Sequence, residues 1–140
     1  MKARPRLVIA GLAGSVGKTV VSLGLLGVWR ERGFAPAVFK KGPDYLDAAW
    51  LGRAAGRPCR HLDLFLWDRP ATLAAFRHFA APTINLIEGN RGLLDGIDAV
   101  GSASTLALAE LLEAPLLLVV DATKATASTA FGVAGVQRLA

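Results

Sequence analysis

Cysteine is almost missing from these 140 residues: there is one, Cys59, beside one methionine, one tyrosine and two histidines. A single thiol closes no internal disulfide, which excludes a disulfide-built scaffold and fits a reducing, cytoplasmic setting. His61 and His78 stand alone and at no metal-ligand spacing to Cys59, so a zinc-type site is not expected. Long hydrophobic runs are also lacking. Glu113, Pro115 and scattered glycines interrupt the longest apolar stretches, well short of the about 20 residues a membrane helix needs. The basic start, MKARPR, imitates a signal peptide, but the apolar residues after it run straight into a glycine-bearing loop. Acid is the scarcer charge, 11 residues against 16 Lys and Arg, for a net charge of +5. A nucleic-acid binder gathers such charge on one face with interleaved aromatics. Here Arg30, Arg53, Arg57, Arg60, Arg69, Arg77 and Arg91 are dispersed, which suits an anionic ligand and leaves no nucleic-acid or membrane partner expected. With 53% hydrophobic residues the chain is long enough for one domain, which buries roughly two-thirds of its unfolded surface.

What is present centres on LVIAGLAGSVGKTVVS, Leu7 to Ser22. It reads as an apolar strand, Leu7 to Ala10, then a loop from Gly11 to Gly17, then Lys18-Thr19 opening a helix. This is the order of a phosphate cradle: glycines let successive N–H groups turn inward, and a helix N-terminus adds partial positive charge. Gly14, Ser15, Val16, Gly17, Lys18, Thr19 and Val20 would form it, with Lys18 on the phosphates and the Thr19 hydroxyl on Mg²⁺. The usual G-x-x-x-x-G-K-[ST] spacing wants glycine at position 12, where this chain has Leu12, with Gly11 one residue earlier.

Along the chain, Val20 to Arg32 reads as an apolar helix stopped by Gly33, and Ala35 to Phe39 as a strand. Lys40-Lys41-Gly42-Pro43-Asp44-Tyr45-Leu46-Asp47 follows as a sharp turn, then a helix from Leu46 to Ala55 with Gly56 as its stop. Residues 57–70 read as a loop with one short turn, and Ala71 to Phe79 as a helix. Pro82 to Ile87 forms a strand into Glu88-Gly89. Residues 89–101 form a glycine-rich loop, Ser102 to Leu112 a helix, Leu116 to Val120 a buried strand ending at Asp121, and Ser128 to Ala140 a last helix. Apolar strands alternating with helices define an α/β fold: a doubly wound, mainly parallel sheet with helices on both faces.

Ligands in such sheets bind at the carboxyl ends of the strands, where this sequence places the loop, Lys40 with Asp44, Glu88, and Asp121. Asp44 and Asp47 start a helix, so each is either a cap or a functional acid. Glu88 ends an apolar strand, a position from which an acid holds Mg²⁺ directly or through water. Asp95, before Gly96, is either a turn former or a functional acid. Trp29, Trp50 and Trp67 are expected to pack, Trp50 being the one placed to stack on a ligand.

Together these segments resemble cobyrinic acid a,c-diamide synthases, specifically their N-terminal ATP-binding domain. The resemblance rests on Phe39-Lys40, Gly42-Pro43-Asp44-Tyr45-Leu46-Asp47, Leu62-Asp63, Glu88-Gly89 with Gly92-Leu93-Leu94-Asp95-Gly96, Gly101-Ser102, and Leu118 to Ala122. The loop is also similar to that of dethiobiotin synthetases, and relatives share its displaced first glycine. The resemblance implies a P-loop NTPase-type fold and an ATP- and Mg²⁺-dependent amidoligase. Such an enzyme phosphorylates corrin-ring acetate carboxylates, and ammonia attacks the acyl phosphates. The ammonia would come from glutamine, hydrolysed in a C-terminal glutaminase domain that residues 1–140 do not include. It further implies that Lys18 and Thr19 serve the phosphates and Mg²⁺. Asp44, Asp47 and Glu88 would serve the metal and the transferring phosphoryl group (Thr19, Asp44 and Glu88 as metal ligands), and Asp95 would lie beside the corrin or the intermediate. Departures from the family pattern are Leu51 for histidine, His61 for asparagine and Glu110 for lysine.

Two other readings compete: a stand-alone carboxylate-phosphorylating ligase like dethiobiotin synthetase, and a switch ATPase that positions partner proteins. The latter usually carries an early lysine in its loop, and positions 11–17 hold none. A homodimer is compatible with each. The last helix has no strand after it, whereas crossover helices in parallel sheets return to one. The expectation is therefore a C-terminally truncated sheet with one edge unpaired, and an isolated chain that binds nucleotide weakly and makes no amide.

Overall fold

Strand and helix alternate throughout residues 4–139, the part of the chain that the computed structural model describes. In order they are β1 (Arg6–Gly11), α1 (Lys18–Glu31), β2 (Ala37–Lys41), α2 (Tyr45–Ala55), β3 (Arg60–Leu62), α3 (Arg69–Phe79), β4 (Asn85–Glu88), α4 (Thr105–Leu111), β5 (Leu116–Val119) and α5 (Ser128–Leu139). The strands form one five-stranded sheet in the order β3-β2-β4-β1-β5, with every neighbouring pair parallel. Parallel neighbours cannot be joined by a tight turn, so helices carry the crossovers. The expected α/β class and parallel sheet are what the chain adopts.

Side chains alternate between the two faces of a strand, and the apolar residues here divide accordingly. Val8, Phe39, Leu62 and Ile87 pack with Phe76 of α3 and Leu108 of α4. Ile9, Val38 and Leu86, their immediate neighbours in sequence, pack with Leu26 of α1 and Leu51 of α2. Each such large side chain contributes about 1.5–3 kcal/mol by leaving water, so both faces must be covered. Leu51, one of the departures from the family pattern, is fully buried and belongs to this core.

Local chemistry sets the helix ends. Asp68 caps α3 by accepting from Ala71 N, and Ser104 caps α4 by accepting from Ala107 N. Asp44 caps α2, accepting from Leu46 N and Asp47 N, and Gly56 closes it at φ 69°. α1 differs: Gly17 stands before it at φ 93°, and no side chain caps its first turn. At the opposite end of the sheet, fully buried Asn85 accepts from Ala81 N and donates to Pro5 O and Ala81 O, tying the starts of β1 and β4 together.

Several elements differ from the sequence reading. Arg60–Leu62 lies within the expected loop 57–70, yet pairs with Phe39–Lys41 as an edge strand. Three residues with only Leu62 buried leave no alternation to read. β2 starts two residues later than expected and ends at Lys41, so both lysines are strand residues with buried side chains. Among the tryptophans, Trp29 packs on the core, whereas Trp50 and Trp67 are exposed. α5 approaches the rest of the fold through Gly132, where an added Cβ would come within 2.9 Å of Leu12 Cδ2. No helix among the described residues is long and apolar enough to cross a membrane.

Candidate functional site

The loop between β1 and α1 folds back over Gly11. A Cβ there would meet Ala13 O at 2.6 Å and Val16 Cγ2 at 2.7 Å, so only glycine fits. The displaced glycine has its reason here, because Leu12 is used for packing: its N–H donates to Val119 O, and its side chain lies under Gly132. Ser15 at φ 57° and Gly17 at φ 93° hold the left-handed turns of the loop, and the non-glycine case is strained. Uncapped, the first turn of α1 keeps its N–H groups open for another acceptor.

Gly14 through Val20 line a cleft of about 450 Å³, closed on its other sides by Lys40, Asp47, Asn90 and Arg91. All seven loop residues expected from the sequence are therefore brought together. Lys18, 8% exposed, donates to Arg91 O at 2.7 Å. Burial, then the charge of Lys40, lowers its pKa below the ordinary value, against the pull of Glu88, Asp47 and Asp95.

Glu88 is fully buried, and its Oε1 accepts from Thr19 Oγ1 at 3.1 Å and from Lys40 Nζ at 2.8 Å. Lys40 also donates to Gly89 O and lies 3.1 Å from Asp47 Oδ2. Burial works to lower the Lys40 pKa, but the hydrogen bonds and charges of Glu88 and Asp47 outweigh it and raise the value. Among the described residues Glu88 Oε2 has no partner, an uncommon state for a buried polar atom.

Of the expected acids, Asp47 and Glu88 thus meet at Lys40, with Thr19 alongside. Asp44 does not join them: it is exposed, and its carboxylate serves the start of α2. Asp95 closes a turn, accepting from Gly92 N at 2.8 Å. It lines a neighbouring cavity with Lys41 rather than the cleft itself. Asp121 is exposed and accepts from Thr123 N. Among the described residues no three His, Cys, Asp or Glu side chains gather as a metal cage. Sequence reasoning placed Lys40 at a strand end without assigning it to the site, and passed over Lys41, Asn90 and Arg91. The available signal was the lysine pair closing an apolar strand.

The fold and the cleft define the chain as an open, parallel α/β domain whose charged side chains converge where β1, β2 and β4 end. Over 118 residues it is 49% identical to the cobyrinate a,c-diamide synthase of Magnetococcus marinus, covering 84% of this chain and 25% of that protein. It is 39% identical over 137 residues to the cobyrinate a,c-diamide synthase of Dehalococcoides mccartyi, covering 96% of this chain and 30% of the relative. It is 40% identical over 136 residues to the hydrogenobyrinate a,c-diamide synthase of Thermobifida fusca, at 94% and 29% coverage. No protein-family model matches the chain. By sequence the chain belongs to the cobyrinate a,c-diamide synthase family, and it spans about a quarter to three-tenths of these relatives' length.

Proposed function

We propose that this chain is the ATP-binding, carboxylate-activating part of a cytoplasmic corrin a,c-diamide synthase. The observation that carries this reading is the cleft itself: an uncapped helix N-terminus and the buried Lys18 and Lys40 line one space, and the buried Glu88, with one oxygen unpartnered among the described residues, is held against its Thr19 and Lys40 walls. Open N–H groups at a helix start donate to phosphate oxygens, and Lys18 adds a full positive charge to them. Thr19 and Glu88 fit Mg²⁺, because Glu88 Oε2 lacks a partner and this ion takes one or two protein oxygens beside phosphates and water. When bound, it would neutralise charge on the phosphates during transfer. Asp44 is committed to its helix and is not needed for this set.

Lys40 offsets the charge of Glu88 and Asp47, so that a substrate carboxylate can approach. A carboxylate oxygen of the corrin acetate then attacks the γ-phosphorus of ATP, giving an acyl phosphate and ADP. Ammonia attacks the acyl carbon, and phosphate leaves with one oxygen from the carboxylate. Glutamine hydrolysis is assigned to residues outside this chain. Nucleophilic cysteines have lowered pKa values, whereas burial, with a smaller push from Glu88, raises the Cys59 thiol to about 12.

The test uses cobyrinic acid labelled with ¹⁸O in its carboxylates, with ATP, Mg²⁺ and ammonium, and a glutaminase-bearing partner in a parallel reaction. One labelled oxygen in phosphate per amide formed is expected. Amide formed without label transfer would overturn the acyl phosphate route.

A further inference from the structure

We propose that a second cavity, walled off from the phosphate cleft by Asn90 and Arg91, binds peripheral carboxylates of an apolar-framed substrate through Lys41 and Arg91. The inference rests on the reading of the substrate as a corrin polycarboxylate and adds residues that bind it. The cavity holds about 430 Å³.

Lys41 is the last residue of β2 and only 7% exposed, yet it makes no hydrogen bond or ion pair among the described residues. An ammonium on a largely buried side chain without a partner is costly, and a folded chain keeps one where a ligand supplies the partner. Burial lowers its pKa; Asp63 opposes this, and the charges of Lys40 and Arg91 add to it. The acids nearby are committed elsewhere. Asp63 Oδ1 accepts from Phe65 N and Leu66 N, and Asp95 Oδ2 accepts from Gly92 N.

Arg91 couples the two spaces. Its backbone is held at φ 51°, in the left-handed region, with its carbonyl on Lys18 Nζ, and the residue lines both the cleft and the cavity. Gly42, at φ 83°, presses the turn after Lys41 onto residue 90: an added Cβ would lie 2.9 Å from Asn90 Nδ2. This close approach brings the strand end that carries Lys41 beside the segment that carries Arg91, and both residues line the one cavity. Phe65 and Ile97 also line it and stand 67% and 63% exposed. Exposed apolar side chains beside a desolvated cation match a ligand with an apolar ring and ionised arms. A carboxylate anchored here would lie next to the phosphate cleft, leaving another arm of the same molecule free to reach it.

Equilibrium binding is measured for the parent, Lys41→Met, Arg91→Ala and Arg91→Lys, with three probes. These are cobyrinic acid, its heptamethyl ester, which keeps the ring without charges, and tricarballylate, which has carboxylates without a ring. Circular dichroism confirms folding, and the exposed Arg91 supplies variants that do not disturb the core. Loss of one charge-assisted contact predicts an about tenfold weaker affinity for cobyrinic acid in Lys41→Met and in Arg91→Ala. Arg91→Lys retains most of the affinity, and the ester binds all four proteins alike. Parent-like cobyrinic acid affinity in both charge-removing variants would overturn the inference while leaving the corrin reading intact. Lys41-dependent binding of tricarballylate without binding of cobyrinic acid would support the anion cavity and overturn the corrin reading. Binding of neither carboxylate probe by the parent would overturn the cavity proposal.

Discussion

Lys40 Nζ lies 2.8 Å from Glu88 Oε1, with both side chains at most 3% exposed. Removing one partner of such a pair strands the other charge in the interior, at about 3–5 kcal/mol. Lys40→Met is therefore expected to lose that much in urea unfolding, and Lys40→Met with Glu88→Leu to recover most of it. A single variant as stable as the parent would show that the pair contributes nothing to stability.

The alkaline limb of stability follows from two raised pKa values. Lys40 is raised above 10.5, so its contribution is fully present below 10.5 and is lost as the pH climbs through the folded value. Cys59 is raised from 9.0 to about 12, so its contribution is present below 9.0 and lost as the pH rises towards about 12. Between pH 9 and 11 the unfolding free energy of Cys59→Ser should therefore change with a less negative slope than that of the parent. An unchanged slope in that variant would contradict a raised pKa for the half-buried Cys59 thiol. Lys41 works the other way: its pKa is lowered, so the unfolded chain holds the proton more tightly and stability gains as the pH approaches 10.5 from below.

Asp44 separates a helix cap from a chemical role. Asparagine caps as well as aspartate, whereas alanine costs about 1 kcal/mol. Since the carboxylate accepts from Leu46 N and Asp47 N, Asp44→Asn should keep the melting temperature and Asp44→Ala should lower it. If the asparagine variant amidates at the parent rate in the complete enzyme, the acid is a cap alone.

Nucleotide affinity should depend on the loop in two ways. Lys18→Ala removes the charge facing the cleft, and about ten- to hundredfold weaker ATP binding is expected from the loss of a charged hydrogen bond. Gly11→Ala leaves every charge in place but drives a methyl group into Ala13 O and Val16 Cγ2. It should weaken ATP binding through loop geometry while the helices remain. Equal affinities by calorimetry in both variants and the parent would remove the phosphate assignment.

The alternation of strand and helix was legible in the sequence because period and composition are local. Leu116–Val119 forms a strand as its apolar run suggests, but as the edge strand β5 it is only partly buried rather than fully so, and Gly33 and Gly56 stop helices at φ 81° and 69° as their positions suggest. The cleft-lining loop was legible too, since Gly14 to Val20 is one continuous segment. Only the tertiary structure decided what spans segments. β3 exists because Lys41 has Leu62 as its parallel partner, a pairing no local pattern in Arg60–Leu62 announces. Lys40 becomes the centre of the site only when β2 is laid beside β4, which sets residue 40 against residue 88. That register brings Glu88 to a cation and leaves Asp44 to its helix, although in sequence both read equally as acids at strand ends. Charge–charge distances across a sheet are set by strand order and register, and those follow from how both apolar faces are covered at once.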